Sequence, residues 1–226
     1  MKQQIENNEQ IRVFIVEDHP VIIEGLETLI NMEPNMVICG QADSAKEGLQ
    51  KIITLRPNVC IIDIILKEGN GIELTEQIKR ICPEIPILVL TMHDDNVYAQ
   101  RALLAGASGY VKKVHAASTV IQAIHQVLEG NVYLSDKTAS NIIGHLVGSR
   151  SRLPFPSVDC LSNRELQVFE FLGRGLTNPE IAEKCFLSIR TVESYFKRIK
   201  DKFDLANTAQ LRQFAIQWAK SMLSNY

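Results

Sequence analysis

Five short apolar runs recur along the first 130 residues, and a stretch with helical spacing follows each one. The runs are IRVFIV at 11–16, MVICGQA at 36–42, NVCIIDI at 58–64, PILVLT at 86–91 and a last one at 108–111. Helical patterns fill 20–32, 45–54, 71–81, 95–105 and 115–128. Strands that alternate with helices in this way pair in parallel, because a crossover through a helix returns the chain to the same end of the sheet. A run such as CIIDII at 60–65 is apolar at successive positions, not alternate ones. Such a strand is covered on both faces. The expectation for residues 11–130 is therefore an α/β domain with a doubly wound five-stranded parallel sheet.

The pattern changes after Gly130. One helix is expected near 136–147, and GSRSRLPFPSVD at 148–159 has the Ser, Gly, Pro and Arg content of a linker. Residues 131–160 are read as a linker with one helix, and residues 1–10 as a polar tail. From 161 to 226 no strand pattern appears. Ser162 and Glu165 form a capping box at the head of a helix that closes at Gly173 or Gly175. Thr177, Asn178 and Pro179 start a second helix. A third is capped by Ser188, and its Val192, Phe196, Ile199 and Phe203 recur at i, i+4, i+7 and i+11 as one apolar stripe. A fourth runs from about Thr208 to Ser221. The expected second unit is a small all-α four-helix domain.

Charge separates the two parts. Residues 1–149 balance to −6 and residues 150–226 to +4, so the halves suit different partners. No apolar run approaches the roughly 18 residues of a membrane span, and MKQQIENNEQ has no apolar segment to serve as a signal peptide. Five cysteines, at 39, 60, 82, 160 and 185, are odd in number and form no C-x-x-C. They read as reduced thiols, and the expected location is the cytoplasm, with no membrane partner.

Ligands of open parallel α/β sheets bind beyond the carboxyl ends of the strands. Glu17 and Asp18 end the first apolar run, Asp63 stands near the end of the third, Thr91 ends the fourth, and Lys113 follows the fifth. Three carboxylates and one ammonium leave a charge of about −2, which a hard dication such as Mg²⁺ would neutralise. The metal could then hold a phosphoryl group for attack by an aspartate oxygen. Thr91 and Lys113 would meet the phosphoryl oxygens.

Residues 11–130 resemble the receiver domain of bacterial two-component response regulators, a flavodoxin-like fold. The resemblance is carried by EDH at 17–19, Asp63, Gly71, LTMHDD at 90–95 and GASGYVKK at 106–113. It implies that Asp63 is the phosphoacceptor, supplied by a histidine kinase. It implies Mg²⁺ ligands in Asp18, Asp63 and the Ile65 carbonyl, with Glu17 acting through water. Thr91 and Tyr110 become a switch pair. Lys113 becomes the phosphate-sensing lysine, because 22 positions separate it from Thr91 as in the family. Three positions depart from the pattern: Lys67 stands where proline is usual, Met92 where a small residue is usual, and Val114 where proline is frequent. They bear on rates and phosphoryl lifetime.

Residues 161–224 resemble the LuxR-type helix-turn-helix output domain of the NarL/FixJ subfamily, over LSNRELQVFEFLGRGLTNPEIAEKCFLSIRTVESYFKRIKDKF. Between 184 and 202 six Lys/Arg stand against two Asp/Glu. The resemblance implies that Glu193, Ser194 and Lys197 face bases of double-stranded DNA. Thr177, Asn178, Arg190, Thr191, Tyr195 and Arg198 complete the DNA-binding set, most of them toward the backbone. Lysine is common at the position of Glu193 and histidine at that of Tyr195. A carboxylate at 193 either accepts from a cytosine amino group or points away and lowers non-specific affinity. Pairing through the last helix is common in such domains. There Leu211, Phe214, Ala215 and Ala219 read as core and Trp218 as a candidate interface residue. The whole chain is then expected to be a transcriptional regulator and not an enzyme, with at most slow autodephosphorylation, and to act as a homodimer. Two alternatives are a DNA-binding regulator controlled without phosphorylation, and an Asp-dependent phosphohydrolase. Ile65 argues against the second, because such enzymes usually carry a further aspartate there.

Overall fold

The computed structural model describes residues 10–92, 96–146 and 158–223. The chain divides into two compact units, residues 1–144 and 145–226. The first contains β1 (Ile11–Val16), α1 (Pro20–Asn31), β2 (Met36–Ala42), α2 (Ala45–Leu55), β3 (Val59–Asp63), α3 (Gly71–Ile81), β4 (Ile87–Thr91), α4 (Asn96–Leu104), β5 (Gly109–Lys112) and α5 (Ala116–Leu128). The strands lie in the order β2-β1-β3-β4-β5, and every pairing is parallel. The expected doubly wound sheet is present. Each strand begins and ends within one residue of its apolar run.

Burial follows the order of strands. β3 is central, and all five of its residues are buried. Val13, Ile15, Val59, Ile61, Leu88, Leu90 and Val111 form one face of the sheet, packed with Ile30 of α1 and Val120 and Ile124 of α5. Alternate residues turn to the other face, where Gly48 of α2 lies over Val16 and Gly71 of α3 over Ile62. The chain reverses its direction of travel across the sheet between β1 and β3. A crevice therefore opens at their carboxyl ends. Glu17 and Asp63 lie there.

Residues 131–144, read from the sequence as the start of the linker, belong with the sheet. Tyr133 makes a parallel bridge to Gly109 on the open edge of β5. Its N–H donates to the Ser108 carbonyl at 3.0 Å, and its carbonyl accepts from the Tyr110 N–H at 2.9 Å. This single residue blunts an edge strand that would otherwise offer free pairing groups. A one-residue bridge leaves no period in the sequence, which is why it was not anticipated. α6 (Asp136–Leu146) follows. The proline-rich stretch expected as linker lies outside the described residues up to 157, as does the N-terminal tail except Gln10.

The second unit holds a 3-10 turn at Val158–Cys160, then α7 (Asn163–Gly173), α8 (Asn178–Lys184), α9 (Ile189–Phe203) and α10 (Thr208–Leu223). Ser162 accepts from the Glu165 N–H, and the Glu165 carboxylate accepts from the Ser162 N–H at 2.7 Å, completing the expected capping box. Phe169 stands in an aromatic cluster with Phe203, Phe214 and Trp218, ring centres 5.3–5.7 Å away. Such ring pairs add to the stabilisation from burial alone. Trp218, weighed as an interface residue, is buried in this cluster.

Candidate functional sites

The acidic site is built at the carboxyl ends of β1 and β3. Glu17 follows β1 and is buried, and Asp63, the last residue of β3, is 4% exposed. Lys113 enters a 3-10 turn after β5, and its ammonium lies 2.6 Å from Glu17 Oε2 and 2.7 Å from Asp63 Oδ2. Each ion of this triad is at least nine-tenths buried. His19 closes the outer side. Its Nδ1 lies 2.8 Å from Glu17 Oε1 and 2.9 Å from Asp18 Oδ1, and its N–H donates to Glu17 Oε1. The structure thus brings His19, the last residue of the EDH motif, onto two carboxylates.

Local geometry fixes Asp63. The loop after β3 closes where the Gly71 N–H donates to the Ile64 carbonyl at 2.9 Å. A Cβ on Gly71 would lie 1.9 Å from the Asp63 carbonyl oxygen, so only glycine fits. Asn70 caps α3 by accepting from the Ile72 and Glu73 N–H groups, and Ile65 bridges to Asn70 inside the loop. Glu68 and Gly69 dock on the loop after β2, where the Ala45 N–H donates to the Glu68 carbonyl at 2.9 Å. Thr91 ends β4 and is fully buried. The β4–β5 register sets Val89 beside Tyr110 and Thr91 beside Lys112, so Thr91 and Tyr110 share a sheet face, and Tyr110 is buried.

Charge explains the electrostatics. Burial, only partly offset by Lys113 and aggravated by Glu17, pushes the Asp63 carboxyl up to about 6. Burial also raises Asp18, against the pull of His19. For Lys113, burial works against the ammonium, but Asp63 and Glu17 outweigh it and hold the amine above its usual value. The site still carries more negative than positive charge. Glu17 Oε2 and Asp18 Oδ1 are buried and accept no hydrogen bond beyond their ionic contacts. Ligand oxygens of Glu17, Asp18 and Asp63 and the His19 ring nitrogen all lie within 4.8 Å of one another. Buried oxygens with spare lone pairs at this spacing suit a hard divalent cation.

The second candidate site is the exposed side of α9. Val192, Phe196, Ile199 and Phe203 are buried as the apolar stripe required. Arg190, Glu193, Ser194, Lys197 and Arg198 are exposed, and Thr191 and Tyr195 are half-buried. Arg198 lies over the Tyr195 ring, 5.7 Å from its centre. In front of α9, Thr177 is exposed and Asn178 half-buried at the start of α8. The Thr177 hydroxyl and N–H both donate to Glu180, which lowers the Glu180 carboxyl. Phe186, at φ 52°, turns the chain between α8 and α9. At the far end of α9, Lys202 Nζ lies 2.6 Å from Glu165 Oε2 and donates to the Cys160 carbonyl at 2.9 Å. The end of α9 is thereby tied to the start of α7.

Two family models divide the chain at the same place as the fold. The response regulator receiver domain matches residues 13–125, and the luxR family of bacterial regulatory proteins matches residues 159–215. The chain belongs to the response regulators. It is 31% identical over 211 residues to the DNA-binding transcriptional activator DevR/DosR of Mycobacterium tuberculosis, covering 93% of this chain and 96% of that one. It is 32% identical over 215 residues to the oxygen regulatory protein NreC of Staphylococcus epidermidis, covering 92% and 97%. Among solved structures, a LuxR-family response regulator from Aurantimonas matches 62% of this chain and all of its own at 32% identity and a TM-score of 0.58. RcsB of Salmonella typhimurium shares the fold over 92% of this chain and 98% of its own, with 24% identity and a TM-score of 0.63. This protein is thus a response regulator of the NarL subfamily, with a receiver domain and a LuxR-type DNA-binding domain.

The departures of this response regulator from its family pattern fall outside the triad. Lys67 reaches Asp43 at 3.7 Å, and both side chains are exposed. Met92 and Val114 are exposed beside the site. His93 and the acids at 94 and 95 lie outside the described residues. All five cysteines are free thiols. No helix among the described residues is long and apolar enough to cross a membrane.

Proposed function

We propose that this response regulator accepts a phosphoryl group on Asp63 from a histidine kinase and thereby controls DNA binding. One observation carries the reading: the Lys113 ammonium lies 2.7 Å from Asp63 Oδ2 within a buried cluster that holds more carboxylates than cations. With a carboxyl near 6, Asp63 is ionised at neutral pH and can act as a nucleophile. An Asp63 oxygen attacks the phosphorus of the kinase phosphohistidine, the P–N bond breaks, and the departing imidazole recovers its electron pair. Asp18, Asp63 and the Ile65 carbonyl would hold Mg²⁺, with Glu17 acting through water. When bound, the ion offsets carboxylate charge and holds phosphoryl oxygens in line. Lys113 then exchanges its Asp63 contact for a phosphoryl oxygen, and the Thr91 hydroxyl takes another. Tyr110, on the Thr91 face of the sheet, follows that movement and shifts the receiver between two states. Hydrolysis of the aspartyl phosphate is at most slow.

The output is a homodimer on double-stranded DNA in the cytoplasm, where free thiols persist. α9 enters the major groove, with Glu193, Ser194 and Lys197 toward bases. Thr177, Asn178, Arg190, Thr191, Tyr195 and Arg198 hold the backbone and flanks. RcsB of Salmonella, which shares the fold, has been solved bound to promoter DNA in the presence of a phosphomimetic, which supports double-stranded DNA as the partner here. The test is intact mass after incubation with acetyl phosphate and Mg²⁺, beside Asp63→Asn, followed by DNA binding of both forms. A gain of one phosphoryl group by the parent alone, with tighter DNA binding, is expected. Unchanged mass with a purified cognate kinase as well would overturn the reading in favour of control without phosphorylation.

A further inference from the structure

The exposed side of α9 has a defined hydrogen-bonding order. Arg190, Glu193, Ser194 and Lys197 stand at i, i+3, i+4 and i+7, opposite the buried stripe, and all four are exposed. From first to last they span about 10 Å along the helix, close to three base-pair steps. The two ends of this row are cations, which only donate. Its centre is different. The Ser194 hydroxyl donates to the Arg190 carbonyl at 2.9 Å, so its proton is spent and only lone pairs face outward. The neighbouring Thr191 hydroxyl is engaged with Ser188 Oγ at 2.7 Å. Glu193 makes no hydrogen bond or ion pair among the described residues, so its carboxylate is an open acceptor. The centre of the row therefore accepts and does not donate.

The major groove offers hydrogen-bond donors only as the amino groups of cytosine and adenine. Adenine sets its N7 acceptor beside that amino group, and an acceptor-only centre opposes N7. Guanine and thymine present acceptors and are opposed outright. We infer that Glu193 and Ser194 together select cytosine at the centre of each half-site, on the strand facing α9, between positions met by Arg190 and Lys197. This inference rests on α9 entering the major groove, and it names what the helix reads there. It also resolves the two roles open to a carboxylate at 193, in favour of reading.

The row makes a substitution code testable. Full-length protein, phosphorylated with acetyl phosphate, is used to select from a library of duplexes with a 20-base-pair random window. The parent is expected to enrich a motif with a fixed cytosine that no other base replaces without a roughly ten- to hundred-fold loss of affinity. Glu193→Gln converts that position to adenine, because an amide pairs with both N6 and N7. Glu193→Lys converts it to guanine. Ser194→Ala keeps the cytosine but weakens its discrimination. Circular dichroism of each variant guards against misfolding, and two variants of opposite chemistry keep the outcome decisive. A motif from the parent that stays the same at every position in both Glu193 variants overturns the inference and leaves DNA binding intact. Failure of the parent to retain any duplex, random or selected, at low salt would instead defeat the placement of α9 in the groove.

Discussion

Asp63 is held by two opposing effects: burial and Glu17 disfavour its charge, while Lys113 favours it. Burial wins, and the carboxyl rises from the usual 3.8 to about 6. The unfolded chain therefore gives up this proton at lower pH than the folded one. Ionising Asp63 costs the fold nothing below the usual value. The cost grows as pH rises toward 6 and is complete above it. Asp63→Asn removes that cost. In metal-free buffer at pH 7.5 its receiver domain is expected to melt several degrees above the parent, with the gap closing as pH is lowered to 5. Added Mg²⁺ should raise the parent's Tm and leave Asp63→Asn nearly unmoved, because only binding to the native state stabilises it. Calorimetry at both pH values, with and without the ion, checks this. Lys113→Met acts in the opposite sense. It leaves buried carboxylates without their cation, at a loss of about 3–5 kcal/mol. Urea unfolding at neutral pH measures it.

Among the elements, the loop from β3 to α3 holds Asp63 in place and the Glu165–Lys202 pair ties α9 to α7. Gly71→Ala forces a Cβ onto the Asp63 carbonyl and should cost about 1–3 kcal/mol while lowering the phosphorylation rate at an unchanged Asp63. The Glu165–Lys202 pair works differently. Burial would raise Glu165, but Lys202 and the Ser162 cap outweigh it and lower the carboxyl. The stabilisation is thus present above the ordinary carboxylate value and is lost as pH falls through the lower folded one. Lys202→Met should cost about 1–2 kcal/mol at pH 7, allowing for the half-exposed ammonium, and progressively less at a pH well below the ordinary carboxylate value. Chemical denaturation at the two pH values tests the sign. Most of this was legible in advance where a feature repeats or has a fixed offset. The five apolar runs, the Ser162 capping box and the α9 stripe all do. Tyr133 on the β5 edge, His19 on two acids and Lys202 across 37 residues to Glu165 are single contacts made by tertiary packing. A one-residue contact has no period, and a histidine beside two acids in sequence does not announce which way its ring turns.

At the scale of the molecule, an acidic receiver and a basic DNA-binding domain give the chain two different electrostatic faces to its partners. Binding to operator DNA should weaken steeply with salt. Arg198→Ala, which removes the cation over Tyr195, should lower the log–log slope by about 1 and reduce affinity for all sequences alike. Titration at four salt concentrations separates this from a loss of sequence preference. Lys202 has one more consequence, for anyone who wishes to study the DNA-binding half alone. The sequence places the start of that half at 161, and the luxR-family match begins at 159. Yet the lysine at the end of α9 donates to the carbonyl of Cys160, and the Leu161 N–H donates to that of Val158. A gene fragment opened at codon 161 would discard both acceptors and leave α9 less firmly seated. One opened upstream of Val158 would keep them, so the two fragments should differ in melting temperature although they encode the same four helices.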